Sequence, residues 1–164
     1  MHVPVGGYDP RDPLLQPVWR RLEAAGTPVV THVGSGPAPG AVPFTGQDVF
    51  ADVMADVPGL RAIIAHMGAP QWEGFLALVL RHERMALDTT MAFTDFFAGI
   101  SRFPADLLET VAANPDRVVL GTDFPNIPYD YCHELASLVA LGFDGDWLRA
   151  VCWGNAAAIL GIAG

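Results

Sequence analysis

An α/β fold with a parallel sheet is what the sequence predicts, on two observations. Four short apolar runs, TPVVTHV at 27–33, LRAIIAHM at 60–67, RMALDTT at 84–90 and RVVLGTD at 117–123, are continuous rather than alternating. Strands covered on both faces read that way, whereas a half-exposed strand alternates apolar with polar residues. The runs also recur about every 25 to 35 residues with helix-like stretches between them, the pattern of repeated right-handed βαβ units.

Taken in order, VPVGG at 3–7 is expected to be the tail of an earlier strand. DPLLQPVWRRLEAAG at 12–26 is expected to be a helix capped by Asp12, with Pro13 at its first position and a stop at Gly26. FTGQDVFADVMADVPG at 44–59 sets Phe50, Val53, Met54 and Val57 at helical spacing and stops at Pro58-Gly59. PQWEGFLALVLRHE at 70–83 and PADLLETVAANPD at 104–116 each open on a proline suited to a first helical turn. After the fourth strand, YDYCHELASLVALG, DGDWLRAVCWG and NAAAILGI are helical by period. With no linker, low-complexity segment or tandem repeat, residues 1–164 are expected to form one domain.

Composition narrows the function. An apolar fraction of 51% over 164 residues supports a substantial core. The net charge of −9 disfavours nucleic acid and anionic membranes, both of which demand a basic footprint. All nine basic residues are arginine, so no lysine Schiff base, lysine general base or carbamylated-lysine metal bridge comes from this chain. Cys132 and Cys152 are too few for a disulfide framework or a cysteine-rich zinc site and are expected to pack as small apolar residues. The opening MHVPVGGYDP is not patterned as a signal peptide, and no apolar stretch approaches the roughly 20 residues that span a bilayer. A cytoplasmic location is the expectation.

The chemistry is expected at the ends of the strands. His32, His66, Asp88 and Asp123 close the four runs, and in a parallel α/β sheet those ends share one face. A single histidine in an apolar run is more often a hydrogen-bonded core residue than a ligand. Four ionisable groups at corresponding ends are costly to leave unpaired, which favours a shared site. Imidazole and carboxylate together suit zinc, or iron and manganese with more oxygen donors. Asp88, followed by two threonines, is expected to cap a helix or orient a ligand. His2, His82 and His133 are assigned solvated or capping roles. HVGSGPAPG at 32–40 lacks the spacing of a phosphate-binding loop and reads as a substrate-side loop, and Ser35 is in no nucleophile elbow.

Taken together, PVVTHVGSGP, IIAHMGAP, MALDTT, DRVVLGTDFP and WGNAAAILG resemble the amidohydrolase-related family of metal-dependent TIM-barrel hydrolases and decarboxylases. The resemblance covers the second half of that family's barrel, strands five to eight with the tail of strand four. It implies that His32 is a metal ligand, that His66 binds metal or acts as acid/base, and that Asp123 binds metal and takes a proton from water. It implies a divalent ion, zinc first, and hydrolysis of a small cyclic or aromatic substrate, with non-oxidative decarboxylation as the alternative and a non-catalytic half-barrel as the rival from another class. Phe124, Trp72 and Phe93 are expected to line an apolar pocket. The family's His-x-His pair has no counterpart here, so the resemblance points to a partial domain with two bare strand edges: a product of a late start codon, a degenerate remnant, or a half-barrel completed by a complementary chain or by a second copy.

Overall fold

A computed structural model of the chain describes residues 1–34, 42–99 and 101–162. Four parallel strands, β1 (Val29–Thr31), β2 (Ala62–Ile64), β3 (Met85–Asp88) and β4 (Val118–Val119), pair in chain order. Val30 stands opposite Ile63, Ile63 opposite Ala86, and Asp88 opposite Val119. Each strand lies beside the next in sequence with helix between them, the arrangement of consecutive units in a TIM barrel. All four expected strands are present, each shorter than its apolar run.

The helices are α1 (Val3–Gly6), α2 (Gln16–Ala25), α3 (Gln47–Asp56), α4 (Trp72–Arg81), α5 (Asp95–Ala98), α6 (Leu108–Ala113), α7 (Tyr131–Ala140), α8 (Gly145–Arg149) and α9 (Asn155–Leu160). The apolar positions at helical spacing bury as expected. Phe50, Val53 and Met54 of α3 and Phe75, Leu76, Leu78 and Val79 of α4 join Ile64 and Leu87 of the sheet in one core. Alternation along β1 divides its two faces. Val29 and Thr31 are buried, while Val30 is 51% exposed on the face that continues to His32.

Three boundary expectations are corrected. VPVGG is no strand: the parallel pairing with β1 belongs to residues 1–3, with His2 bridging His32, and the chain then coils into α1 and stops at Gly7, whose φ of 62° suits glycine. The second helix starts at Gln16, not beside Asp12. A helix begun at Pro13 would bury Pro17 in its interior, where it lacks the N–H and clashes. Asp12 instead closes a turn by accepting the Leu14 N–H at 2.8 Å, and Pro17 falls in the first turn of α2. Likewise α4 begins after Pro70, with Gln71 at its cap position.

The two outer strands are also less bare than expected. His32 N–H donates to the Met1 carbonyl at 2.8 Å on one side, and Leu120 N–H donates to the Val151 carbonyl at 2.9 Å on the other. Asn155 Nδ2 donates to the Pro115 and Val118 carbonyls, both at 2.7 Å, which ties α9 to the start of β4. Among the described residues no helix is long and apolar enough to cross a membrane.

Candidate active site

His66 does not sit within β2. The strand stops at Ile64, and residues Ala65–Gly68 form a tight turn in which His66 (φ 54°, ψ 35°) and Met67 (φ 53°, ψ 18°) are left-handed. Such backbone costs roughly 1–3 kcal/mol per non-glycine residue and persists only where its surroundings hold it. Here Asp88 Oδ1 accepts the His66 N–H at 2.9 Å, and the Met67 side chain is fully buried in the core. The same Oδ1 accepts the Thr90 N–H at 3.1 Å. The last residue of β3 thus pins the turn that carries His66.

The imidazole is held as well. His66 Nδ1 lies 3.1 Å from the Thr90 carbonyl, and a carbonyl can only accept, so Nδ1 carries the proton and Nε2 presents its lone pair. His66 Nε2 lies 3.0 Å from His32 Nδ1. The His32 ring in turn stacks on His2, with centroids 4.1 Å apart and planes at 9°. These rings, Asp88, Thr90 and Asp123 line one cavity of about 620 Å³, whose apolar wall comes from Met1, Val30, Ala65, Ala69, Met91 and Phe96.

Asp123 reaches the cavity from a loop. β4 ends at Val119, and Asp123 lies beyond it at φ 54°, a left-handed position that aspartate tolerates. His32, His66, Asp88 and Asp123 therefore converge as the strand-end pattern predicts. Asp88 is 6% exposed and serves backbone N–H groups rather than an imidazole. Burial pushes its carboxyl up, against the downward pull of the His66 and Thr90 contacts.

The aromatic expectations fare differently. Phe124 is 65% exposed and packs edge-on to Tyr131. Trp72 is buried against Phe103 and donates to the Ser101 hydroxyl at 3.2 Å. Phe93 packs on Phe103 beside a separate groove. None of the three is in the cavity wall: Trp72 opens α4 after β2 and packs on Phe103, and the segments after β3 and β4 leave Phe93 and Phe124 outside while Met91 and Phe96 line the cavity. The expected substrate-side loop, 32–40, falls largely outside the described residues, as does Ser35.

His2 is the residue that reading by strand ends undervalued. It does cap a helix, Nδ1 accepting the Val5 N–H at 3.3 Å, but its ring also forms part of the cavity wall. The signal was the extended segment at the amino end, placed one step too late in the chain. His133 bonds Asp95 at 2.8 Å on the surface, in keeping with its solvated assignment.

Burial first, then the neighbouring imidazoles of His66 and His2, hold His32 down at about 4, below the ordinary value of about 6.5. The folded chain keeps this ring neutral where the unfolded chain would protonate it. Its contribution to stability is complete above about pH 6.5 and is lost as pH falls towards 4. Since His32 is only half-buried, screening by solvent limits that contribution to about 1–2 kcal/mol. Denaturant midpoints of chelator-treated protein should fall across this window, and His32→Gln should flatten the fall. An equally steep fall in the variant would refute the assignment.

The donor geometry can be compared with that of a metal centre. Zinc–nitrogen bonds of about 2.0–2.1 Å in a tetrahedral arrangement place two ligating nitrogens about 3.3 Å apart, close to the 3.0 Å between His32 Nδ1 and His66 Nε2. The Thr90 carbonyl on His66 Nδ1 is the kind of orienting contact that ligating histidines have. The pair fits two corners of a centre. Among the described residues no three His, Cys, Asp or Glu side chains stand close enough to hold an ion by themselves.

A profile of the family described as Amidohydrolase matches residues 1–162. The chain belongs to the amidohydrolase family. This amidohydrolase chain finds no match among curated proteins. Among solved structures it is similar to an uncharacterised TIM-barrel protein from Bordetella bronchiseptica, with 22% identity and a TM-score of 0.77 over 99% of this chain and 53% of that one. It is also similar to an inferred 2-pyrone-4,6-dicarboxylic acid hydrolase from Pseudomonas putida (16% identity, TM-score 0.63, 96% of this chain and 60% of that one). A third is 2,6-dihydroxybenzoate decarboxylase from Rhizobium (18% identity, TM-score 0.59, 93% of this chain and 56% of that one). These likenesses establish the fold. The amidohydrolase chain spans between half and two thirds of each of these structures, consistent with a half-barrel.

Proposed function

We propose that this chain supplies half of the active site of a metal-dependent hydrolase acting on a small cyclic or aromatic substrate. The observation that carries the reading is the convergence of His32, His66 and Asp123, from three distant segments, on one largely apolar cavity. His32 Nδ1 and His66 Nε2 would hold the ion, with Asp123 as the nearby carboxylate. The chemistry a divalent ion, zinc first, supplies at such a site is Lewis acidity towards water and a substrate oxygen.

The residues of the chain do the rest. Asp88 and the Thr90 carbonyl fix the backbone and ring of His66, so Nε2 faces the reaction space with a lone pair. His32 stays neutral near pH 7 and keeps its donor capacity. Asp123 lines the cavity and would take the proton of an attacking water. Met91, Phe96 and Val30 exclude water from the far wall and suit a flat apolar ring. The remaining ligands would come from a complementary half-barrel.

Zinc titration of the full chain tests the ligand assignment. Binding should be weak, and His32→Ala should lower the affinity at least tenfold, the smallest loss expected even for an outer contact to a metal. An unchanged affinity would remove His32 from the site. A decarboxylase reading uses the same residues and is supported by the likeness to the Rhizobium 2,6-dihydroxybenzoate decarboxylase, named for an aromatic acid. Release of CO2 without hydrolysis by the completed barrel would decide for it.

A further inference from the structure

Glu134 lies outside the cavity, on α7, and is 1% exposed. Its Oε1 accepts two hydrogen bonds from neutral donors, the Met91 N–H at 2.8 Å and the Tyr129 hydroxyl. Burial holds its carboxyl above the ordinary range, with the Asp88 carboxylate adding to the rise and the Tyr129 and Met91 bonds opposing it only in part. A glutamine could accept the same bonds without the cost of burying a charge-bearing group. The choice of a carboxylate therefore asks for a reason.

The reason lies one peptide group away. The Met91 N–H and the Thr90 C=O belong to the same planar amide. On one side of that amide stands Glu134; on the other, the Thr90 oxygen accepts from His66 Nδ1 at 3.1 Å. The sequence of contacts runs carboxylate, amide N–H, amide C=O, imidazole Nδ1–H, and ends at Nε2, 3.0 Å from His32. Hydrogen bonds joined through a conjugated amide polarise one another, by about 10–30% per bond. A carboxylate on the N–H side makes the carbonyl a stronger acceptor. A stronger acceptor on Nδ1–H makes Nε2 a stronger donor, the effect that a directly bonded carboxylate has on a ligating histidine.

We propose that Glu134 is the orienting carboxylate of His66, acting through the Thr90–Met91 peptide group to hold the Nδ1–H tautomer and to strengthen Nε2 towards the cavity. No proton crosses the amide; Glu134 is a positioning residue. The inference rests on the reading of His66 as a site residue. It also accounts for Met91, whose left-handed φ of 58° presents its N–H to α7.

The test is nitrogen NMR of the full chain labelled at histidine, with zinc withheld by chelator, in the wild type, Glu134→Gln and Tyr129→Phe. The wild type should show His66 protonated at Nδ1 and bare at Nε2. Glu134→Gln keeps the shape and the acceptor but not the charge, and should move His66 towards a mixture of tautomers with a weaker Nδ1–H hydrogen bond. Tyr129→Phe frees Oε1 of its competing donor and should move the Nδ1 proton the other way, to a stronger bond. A wild-type His66 protonated at Nε2 overturns the proposal, as does a folded Glu134→Gln with the wild-type spectrum. Should Glu134→Gln fail to fold, Tyr129→Phe decides, and an unmoved Nδ1 proton there counts against it. Because the readout is the imidazole itself, failure here leaves the metal reading standing, and loss of that reading in the zinc titration leaves this one measurable.

Discussion

Asp88→Ala should destabilise the chain by about 2–4 kcal/mol, while Asp88→Asn should be nearly neutral. One oxygen, Oδ1, accepts both the His66 and the Thr90 N–H groups, and the carboxyl is almost wholly buried. Alanine leaves two buried donors without an acceptor, at about 1–3 kcal/mol each before relaxation. The asparagine carbonyl can occupy the position of Oδ1 and keep both bonds. For a domain of this size the alanine loss corresponds to a fall in melting temperature of roughly 5–15 °C. Equal melting temperatures for the two variants would show that the N–H groups are not what Asp88 serves. The same change should loosen the left-handed turn at His66, so zinc affinity should fall with stability in the alanine variant and persist in the asparagine variant.

Gly68→Ala should be as damaging, for reasons of space and backbone together. Gly68 has φ +77°, where an L side chain is strained, and an added Cβ would lie 2.4 Å from Phe75 Cβ and 2.5 Å from the Phe75 ring. Phe75 is fully buried in α4, at the centre of the core. Left-handed alanine costs about 1–2 kcal/mol and overpacking about 1–3 kcal/mol more. A total of about 2–5 kcal/mol should appear as a shifted denaturant midpoint with the slope unchanged. A midpoint within experimental error of the wild type would mean that the turn and α4 separate easily. That result would undercut the claim that the core sets the position of His66.

His32, His66, Asp88 and Asp123 were legible in the sequence because continuous apolar runs mark the strands locally, even where Val30 of β1 is exposed on one face, and each run carries an ionisable residue at its carboxyl end. The helical positions of Phe50, Val53 and Met54 were legible for the same reason: period and burial are properties of a short stretch. Trp72 and Phe124 were not, since an aromatic side chain near a strand end turns inward or outward according to which loop it packs against. His2 and Glu134 were not legible either. Their roles depend on partners about 30 and 43 residues away, His32 and Met91, and no local pattern marks a ring that will stack or a carboxylate that will meet a distant peptide group.

The order of strands and helices, the parallel sheet and the end of it where His32, His66, Asp88 and Asp123 gather were determined by the sequence alone, because apolar runs and helical spacing are written residue by residue. The left-handed turn at His66, the tautomer of its ring, the entry of His2 and the placement of Asp123 beyond its strand were decided only by the tertiary structure. Each of these is a local conformation or a side-chain orientation with little intrinsic preference of its own, held in place by groups such as Asp88 Oδ1 and the Thr90 carbonyl that folding alone brings within hydrogen-bond distance.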